Sequence, residues 1–142
     1  MTIAAILKGK GGEVTTLAAE TTVAEAASVL AARRIGAAPV MTDGVVAGMF
    51  SERDVLHCLH EHGAAGLDRK IADVMTAPAV TVSQTDSAIG ALALMTRRRI
   101  RHLPVVEDGR LVGLVSIGDL VKYRIDRIEA DAEALRDYIR LS

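Results

Sequence analysis

The chain has 142 residues, half of them hydrophobic and a quarter charged, with a formal net charge of −1. This length accommodates one ordinary domain or two small domains that pack tightly. Two tyrosines and one phenylalanine are its aromatic residues, which argues against binding single-stranded nucleic acid by base stacking. The small net charge provides no broad field to attract a polyanion. A lone cysteine, Cys58, excludes a disulfide within the chain and fits a reducing compartment.

The first predicted element is a short apolar run at residues 3–7. No basic region precedes this run, and it is too short for the core of a signal peptide. No segment reaches the roughly 20 apolar residues that a membrane span requires. We therefore expect a soluble, cytoplasmic protein with no membrane partner.

The next elements follow a strand, helix, strand, strand, helix order. The predicted elements are a strand at 14–17, a helix after 22, strands at 38–41 and 45–50 and a helix starting at 51. Thr22 and Glu25 have the spacing of a capping box, which predicts the start of the first helix. Asp43-Gly44 lies between the two strands and predicts a tight hairpin turn.

The same order then repeats. Residues 35–56 align without a gap on residues 100–121. The matched pairs include Pro39 with Pro104, Gly44 with Gly109, Gly48 with Gly113, Ser51 with Ser116 and Asp54 with Asp119. A short segment at 71–75 resembles residues 3–7, and 62–70 is the predicted linker. The second copy predicts a strand at 80–82, a helix capped by Ser87, strands at 103–106 and 111–115, and a helix starting at 116.

Each copy contains Pro-Val on one strand, Asp-Gly at the turn, and Ser-x-x-Asp after a second strand. This pattern resembles the cystathionine-β-synthase (CBS) domain, and two in tandem resemble a Bateman module. The resemblance covers about residues 3–125. It implies an α+β fold of two CBS domains packed about a pseudo-twofold axis, with the first short helix of each copy crossing to its neighbour. The expected divisions are 1–66, 67–125 and a C-terminal amphipathic helix at 126–142.

The Ser116 to Asp119 spacing has two interpretations. A serine at a helix N-terminus can help bind phosphate, an aspartate one turn later can accept from both ribose hydroxyls, and Gly118 permits close approach. The same spacing is also that of a plain helix cap. Ser51, Arg53 and Asp54 repeat the arrangement, and both roles can coexist at one position.

A basic segment, Arg97 to His102, precedes the second Pro-containing strand. Its arginines can be the solvated end of a helix, where cations are favourable. The resemblance instead implies that Arg99, Arg101 and His102 face the ligand cleft and neutralise phosphate. The first copy has Gly36 and Ala37 at the matching positions, so we expect the second motif to bind polyphosphate more tightly.

The resemblance implies a sensor of adenine nucleotides such as AMP, ATP or NAD(H), with no catalytic cofactor. The site expected around the second motif comprises Thr81, Arg99, Arg101, His102, Leu103, Pro104, Ser116, Gly118 and Asp119. The companion site comprises Thr16, Ala38, Pro39, Ser51, Arg53 and Asp54. Adenine is expected on aliphatic walls near Thr81, Leu103 and Pro104, because aromatic residues are scarce.

Other function classes have less support from the residues. No P-loop or nucleophile–base pair is found, so we do not expect an enzyme. The end of the predicted helix after Ser51 is rich in possible metal ligands, namely His57, Cys58, His60 and His62. The two suitably spaced ligand pairs of a zinc site are missing, so no metal site is expected. The alternative function is a nucleic-acid-binding or protein-interaction adaptor that uses Arg97 to His102, although nucleic acid is not the expected partner.

Apolar helix faces predict contacts with other chains. We expect a homodimer through Val55, Leu56, Leu59, Leu120 and Val121, and output through a separate, unknown effector protein. Near the end of the chain, apolar residues recur at spacings that alternate between three and four: Ile125, Ile128, Ala132, Leu135 and Ile139. This pattern predicts an apolar seam that packs on the module or on a partner chain.

Overall fold

A computed structural model describes residues 1–141 of the chain. Its α-helices are α1 (Ile3–Lys10), α2 (Val23–Arg33), α3 (Glu52–His62), α4 (Ala88–Arg98) and α5 (Ile117–Leu141). Its strands are β1 (Leu17–Ala18), β2 (Ala37–Thr42), β3 (Val45–Ser51), β4 (His102–Glu107) and β5 (Arg110–Ser116). Short 3-10 helices cover Gly63–Asp68 and Ile71–Asp73. No helix within residues 1–141 combines the length and apolar character needed to cross a membrane.

The strands form one small sheet in each half of the chain. β1 pairs in parallel with β2, which is antiparallel to β3, and β4 is antiparallel to β5. The strand predicted at 80–82 is a single bridge between Val82 and Val105. It extends no further because the N–H groups of Ser83 and Gln84 donate to the carboxylates of Asp86 and Glu107 instead of to a strand.

The predicted caps and turns are confirmed. Thr22 Oγ1 accepts from the Glu25 N–H at 3.2 Å, and Ser87 Oγ accepts from the Gly90 N–H at 2.9 Å. Each hairpin turn has two consecutive residues with positive φ, the requirement of a type I′ turn. These residues are Asp43 and Gly44 (51° and 77°), and Asp108 and Gly109 (49° and 77°).

The two halves exchange their first short helices, as the resemblance implied. Ile3 and Ile6 of α1 lie in the core of the second half, beside Leu103 and Val115. Ile71, in the corresponding segment of the second half, lies in the core of the first half. Backbone hydrogen bonds fix both crossings, from the Ile3 N–H to the Asp86 carbonyl at 2.9 Å and from the Ile71 N–H to the Thr21 carbonyl at 2.8 Å. Reciprocal exchange fits two repeats packed about a pseudo-twofold axis.

The last helix is one continuous element. α5 runs from Ile117 to Leu141 without a break at residue 125, where the sequence analysis divided the chain. Its first turns pack on the second core through Leu120, which is buried, and Tyr123, which is half-buried. From residue 124 to 141 all side chains are exposed except that of Ala132, which is half-buried. This second part of the helix therefore extends beyond the module.

Candidate functional site

A cleft of about 410 Å³ lies between the two halves. The first half lines it with Gly36, Ala37, Met49, Ser51, Glu52, Arg53, Asp54 and Leu56. The segment from 76 to 80 and the start of β4 line the other side with Thr76, Pro78, Ala79, Val80, Arg99, Ile100, Arg101 and His102. This volume lies within the range of pockets that bind small molecules.

Ser51 and Asp54 form a capping box at the start of α3. The Asp54 N–H donates to Ser51 Oγ at 3.3 Å, and the Ser51 N–H donates to Asp54 Oδ2 at 2.9 Å. Asp54 Oδ1 also accepts from the Thr76 hydroxyl at 3.2 Å. The Ser51 hydroxyl also donates to Asp54 Oδ2 at 3.2 Å. Because each carboxylate oxygen has two lone pairs, Oδ2 is fully used, and Oδ1 can accept one further hydrogen bond from a ligand. The capping interpretation is realised, and it does not exclude the binding one.

Ser116 and Asp119 repeat this box at the start of α5, with an additional cation. The Ser116 N–H donates to Asp119 Oδ2 at 2.8 Å, and the Asp119 N–H donates to Ser116 Oγ at 3.1 Å. Lys10 Nζ lies 2.6 Å from the same Oδ2 and 2.8 Å from the Leu114 carbonyl oxygen. Burial raises the pKa of Asp119, but the hydrogen bonds from Lys10 and Ser116 outweigh it, so its pKa is lowered. Asp119 is thus a paired carboxylate.

Lys10 is a site residue that the sequence analysis missed. It lies at the end of α1, in the glycine-rich segment that the first copy has and the second lacks. Its ammonium reaches Asp119 only because α1 crosses into the second half. The available signal was a single lysine between glycines, without a matching residue in the other copy.

The basic residues lie beside both motifs: His102 is the register partner of Ser116, and the Arg101 carbonyl accepts from the Ile117 N–H at 2.8 Å. Arg99, Arg101 and His102 line the same cleft as Ser51 and Asp54. The sequence analysis had grouped these cations with Ser116 and Asp119, because they are close along the chain. These residues line the cleft of Asp54 because the two halves pack with the start of β4 opposite the start of α3.

His102 lies at the centre of the module. Its register partner on β5 is Ser116, while its ring carbon Cε1 is 3.7 Å from where a Cβ on Gly36 would lie. Burial lowers the pKa of His102 below its ordinary value, and the nearby Lys10 and Arg101 charges lower it further, against opposing effects of Asp119 and Glu52. The imidazole is therefore mainly neutral at neutral pH, and it can gain a proton if an anion enters the cleft.

The remaining predicted residues do not line the cleft. Ala38, Pro39, Leu103 and Pro104 are fully buried, so their side chains offer no surface for adenine. Thr16, Thr81 and Gly118 are exposed but are not among the residues that line this cleft. The apolar wall instead comes from Met49, Pro78, Ala79 and Val80. The residues expected to contact adenine are not part of this wall, because the strand centres face the two cores.

Cys58, in the histidine-rich end of α3, has a structural role. The Cys58 thiol is buried and donates to the Gly66 carbonyl at 3.3 Å. This bond joins α3 to the following 3-10 helix. Across residues 1–141, no group of three or more His, Cys, Asp or Glu side chains is placed to hold a metal ion.

Comparison with known proteins identifies the repeat. The CBS domain profile matches the chain twice, at residues 12–61 and 71–126. The chain belongs to the CBS domain family. A CBS domain-containing protein from Arabidopsis thaliana, CBSX3, is 32% identical over 98% of this chain and 72% of its own length.

Solved structures have the same CBS fold. The CBS domain protein ATU1752 from Agrobacterium tumefaciens superposes with a TM-score of 0.84 and 39% identity, covering 87% of this chain and 99% of that one. The CBS domain pair of MJ0100, described in complex with 5-methylthioadenosine and S-adenosyl-L-methionine, has a TM-score of 0.79 at 22% identity, covering 89% of this chain and 98% of that one. The latter likeness shows the fold alone.

Proposed function

We propose that this CBS domain pair is a regulatory module, not an enzyme, and that its central cleft binds an adenine nucleotide such as AMP, ATP or NAD(H). The observation that carries the proposal is one cleft that combines Asp54 at a helix N-terminus with Arg99, Arg101 and His102. The MJ0100 pair, which shares the fold, was solved with two adenosine-containing ligands. No catalytic cofactor is needed for this function.

Each part of a nucleotide has a complementary group in the cleft. Asp54 Oδ1 has a free lone pair for a ribose hydroxyl, the group that acidic residues bind in dinucleotide-binding folds. Arg99 and Arg101 supply guanidinium donors for phosphate, and arginine can make two parallel bonds to it. The apolar surface around Met49 and Val80 can cover the adenine ring.

The second motif is proposed as the weaker site. Lys10 is hydrogen-bonded to Asp119, so a ribose that bound there would compete with an ion pair. Arg99, Arg101 and the titratable His102 line the cleft that contains Asp54, where they favour a phosphate. We therefore assign the stronger nucleotide site to the first Ser-x-x-Asp motif, the reverse of the order expected from the sequence.

Isothermal titration calorimetry on ligand-stripped protein tests this assignment. AMP, ATP and NADH are titrated into the unaltered chain and into Asp54→Ala and Asp119→Ala, which are matched because both remove a capping carboxylate. Asp54→Ala should weaken binding at least about tenfold, the effect of losing a charged hydrogen bond of about 1.5 kcal/mol. Asp119→Ala should change it little. No binding of any adenine nucleotide, or the opposite ranking of the variants, would overturn the proposal.

The regulatory output requires other proteins. We propose a homodimer through the outer faces of α3 and α5, where Leu59 and Val121 are exposed apolar residues. A separate effector protein would read the nucleotide-bound state. We also propose a cytoplasmic location, because the free thiol of Cys58 fits a reducing compartment.

A further inference from the structure

The second part of α5 is a long helix with no core of its own. Residues 124–141 extend for about 27 Å at 1.5 Å per residue, and Leu120 is the only buried residue of α5. Ile125 is 48% exposed, Ile128 53%, Leu135 60% and Ile139 63%. A helix of this length without packing is marginally stable in water, since helices in proteins depend mainly on burying an apolar face.

The exposed apolar residues follow a heptad repeat. Val121, Ile128 and Leu135 occupy d positions, and Ile125, Ala132 and Ile139 occupy a positions. We name these six residues the C-terminal seam. A seam of a and d positions packs against another helix by inserting each residue between four residues of its partner. The pattern predicts a helix as the occupant of this face.

The charges beside the seam are complementary between two copies that lie parallel. In that arrangement a g position faces the e position five residues later on the second copy. Arg124 at g then faces Glu129 of the second copy, and Asp131 at g faces Arg136 of the second copy. Each pair occurs twice by symmetry, and all four contacts are attractive.

The antiparallel arrangement is unfavourable. When two seams overlap fully in opposite directions, e positions face e positions and g positions face g positions. Lys122 then faces Arg136, Glu129 faces Glu129, and Asp131 faces Asp131. Each of these contacts joins like charges. The charge pattern therefore selects both a second copy of this chain and its direction.

We propose that residues 121–141 of two copies form a parallel, two-stranded coiled coil that joins two modules. This interface extends the proposed homodimer contact along α5, because Val121 belongs to both, and it places two ligand clefts in one symmetric assembly. The g and e pairs set the register, and the seam supplies the buried apolar surface.

Sedimentation velocity on the full chain tests the interface. Ile128→Glu places a charge in the middle of the seam and should raise the dimer dissociation constant by at least about tenfold. Arg136→Glu should also weaken the dimer, because it sets two acidic residues opposite each other, and adding Asp131→Arg should restore it. Circular dichroism and calorimetric AMP binding verify that each variant is folded. A monomeric unaltered chain, or a dimer indifferent to Ile128→Glu, would overturn the proposal.

Oxidative cross-linking tests the direction. Ile139→Cys brings two thiols together in a parallel coiled coil, whereas the antiparallel one separates them by about 27 Å. Glu133→Cys is the control, because this b position lies away from the seam. Cys58 is buried and does not compete for oxidant. We expect a disulfide-linked dimer for Ile139→Cys alone. Its absence, or equal cross-linking of Glu133→Cys, would contradict the parallel arrangement.

Discussion

At the scale of single residues, His102 is a titratable group in the cleft whose pKa is shifted by its surroundings. Its pKa is lowered by burial and by the charges of Lys10 and Arg101, so the ring gives up its proton more readily than a free histidine. A nucleotide phosphate in the cleft would reverse part of that shift, because a nearby anion favours the charged imidazole. Ligand binding and proton binding at this residue should then reinforce each other.

We predict that AMP binds more tightly as the pH falls from about 8 to about 6, with uptake of a proton by His102. Calorimetry in buffers with different ionisation enthalpies measures that proton directly. His102→Gln keeps a polar side chain that does not titrate in this range, so it should remove most of the pH dependence. An unchanged pH profile in this variant would show that another group is responsible.

The lowered pKa of His102 has the opposite effect on the stability of the protein without ligand. A histidine whose pKa is lower in the folded state binds fewer protons there than in the unfolded chain. The free energy of unfolding therefore declines as the pH falls through the ordinary histidine range, and it is regained as the pH rises. Acid conditions should thus destabilise the empty module while they favour the proposed nucleotide complex.

At the scale of elements, two equivalent glycines let each half accept the other's crossing segment. A Cβ on Gly48 would lie 2.6 Å from the Thr76 carbonyl oxygen, which is a backbone atom. A Cβ on Gly113 would lie 2.6 Å from Leu7 Cδ2, the end of a side chain. The first clash involves a fixed group, whereas Leu7 can change its rotamer.

We predict that Gly48→Ala lowers the free energy of unfolding by about 1–3 kcal/mol, the usual cost of overpacking, and that Gly113→Ala lowers it less. The comparison is well matched, since both residues occupy the same position in the repeat. Urea denaturation monitored by circular dichroism gives both values. Equal losses would mean that the two crossings have the same rigidity, and a larger loss for Gly113→Ala would mean that the crossing by Leu7 is the more rigid.

At the scale of the whole molecule, the exchange of first helices joins the two halves into one folding unit. Ile3, in the first helix, is fully buried in the core of the second half, while Ile71 is fully buried in the first. Neither half can complete its core without a segment that the other half positions. The central cleft also has walls from both halves.

We predict that Ile3→Ala lowers the free energy of unfolding by about 2–5 kcal/mol, as for other large-to-small core changes, and that the chain still unfolds in one calorimetric transition. Ile89→Ala is the control, because Ile89 is 66% exposed and its loss should cost little. Separate transitions for the two halves in Ile3→Ala would show that they fold independently.

The sequence alone determined the repeat, the order of elements, the caps and the hairpin turns. These features depend on residues that are close along the chain: Thr22 reaches the backbone of Glu25, and Asp43 with Gly44 forms a turn by itself. The Ser-x-x-Asp motifs belong to this class, so both capping boxes could be predicted. The crossing of the first helices followed from the family resemblance and not from local pattern.

Only the tertiary structure decided which groups share a cleft. Arg101 and His102 are nearer in sequence to Asp119, yet they line the cleft of Asp54, and Asp119 is paired with Lys10 from the other end of the chain. The strand predicted at 80–82 is a single bridge, and the N–H groups of the next two residues, Ser83 and Gln84, donate to carboxylates instead of continuing the strand. The local sequence pattern determines which helix, strand or turn a segment can form. The long-range packing of the two similar halves determines which side chains meet, because contacts across the pseudo-twofold axis have no characteristic spacing in the sequence.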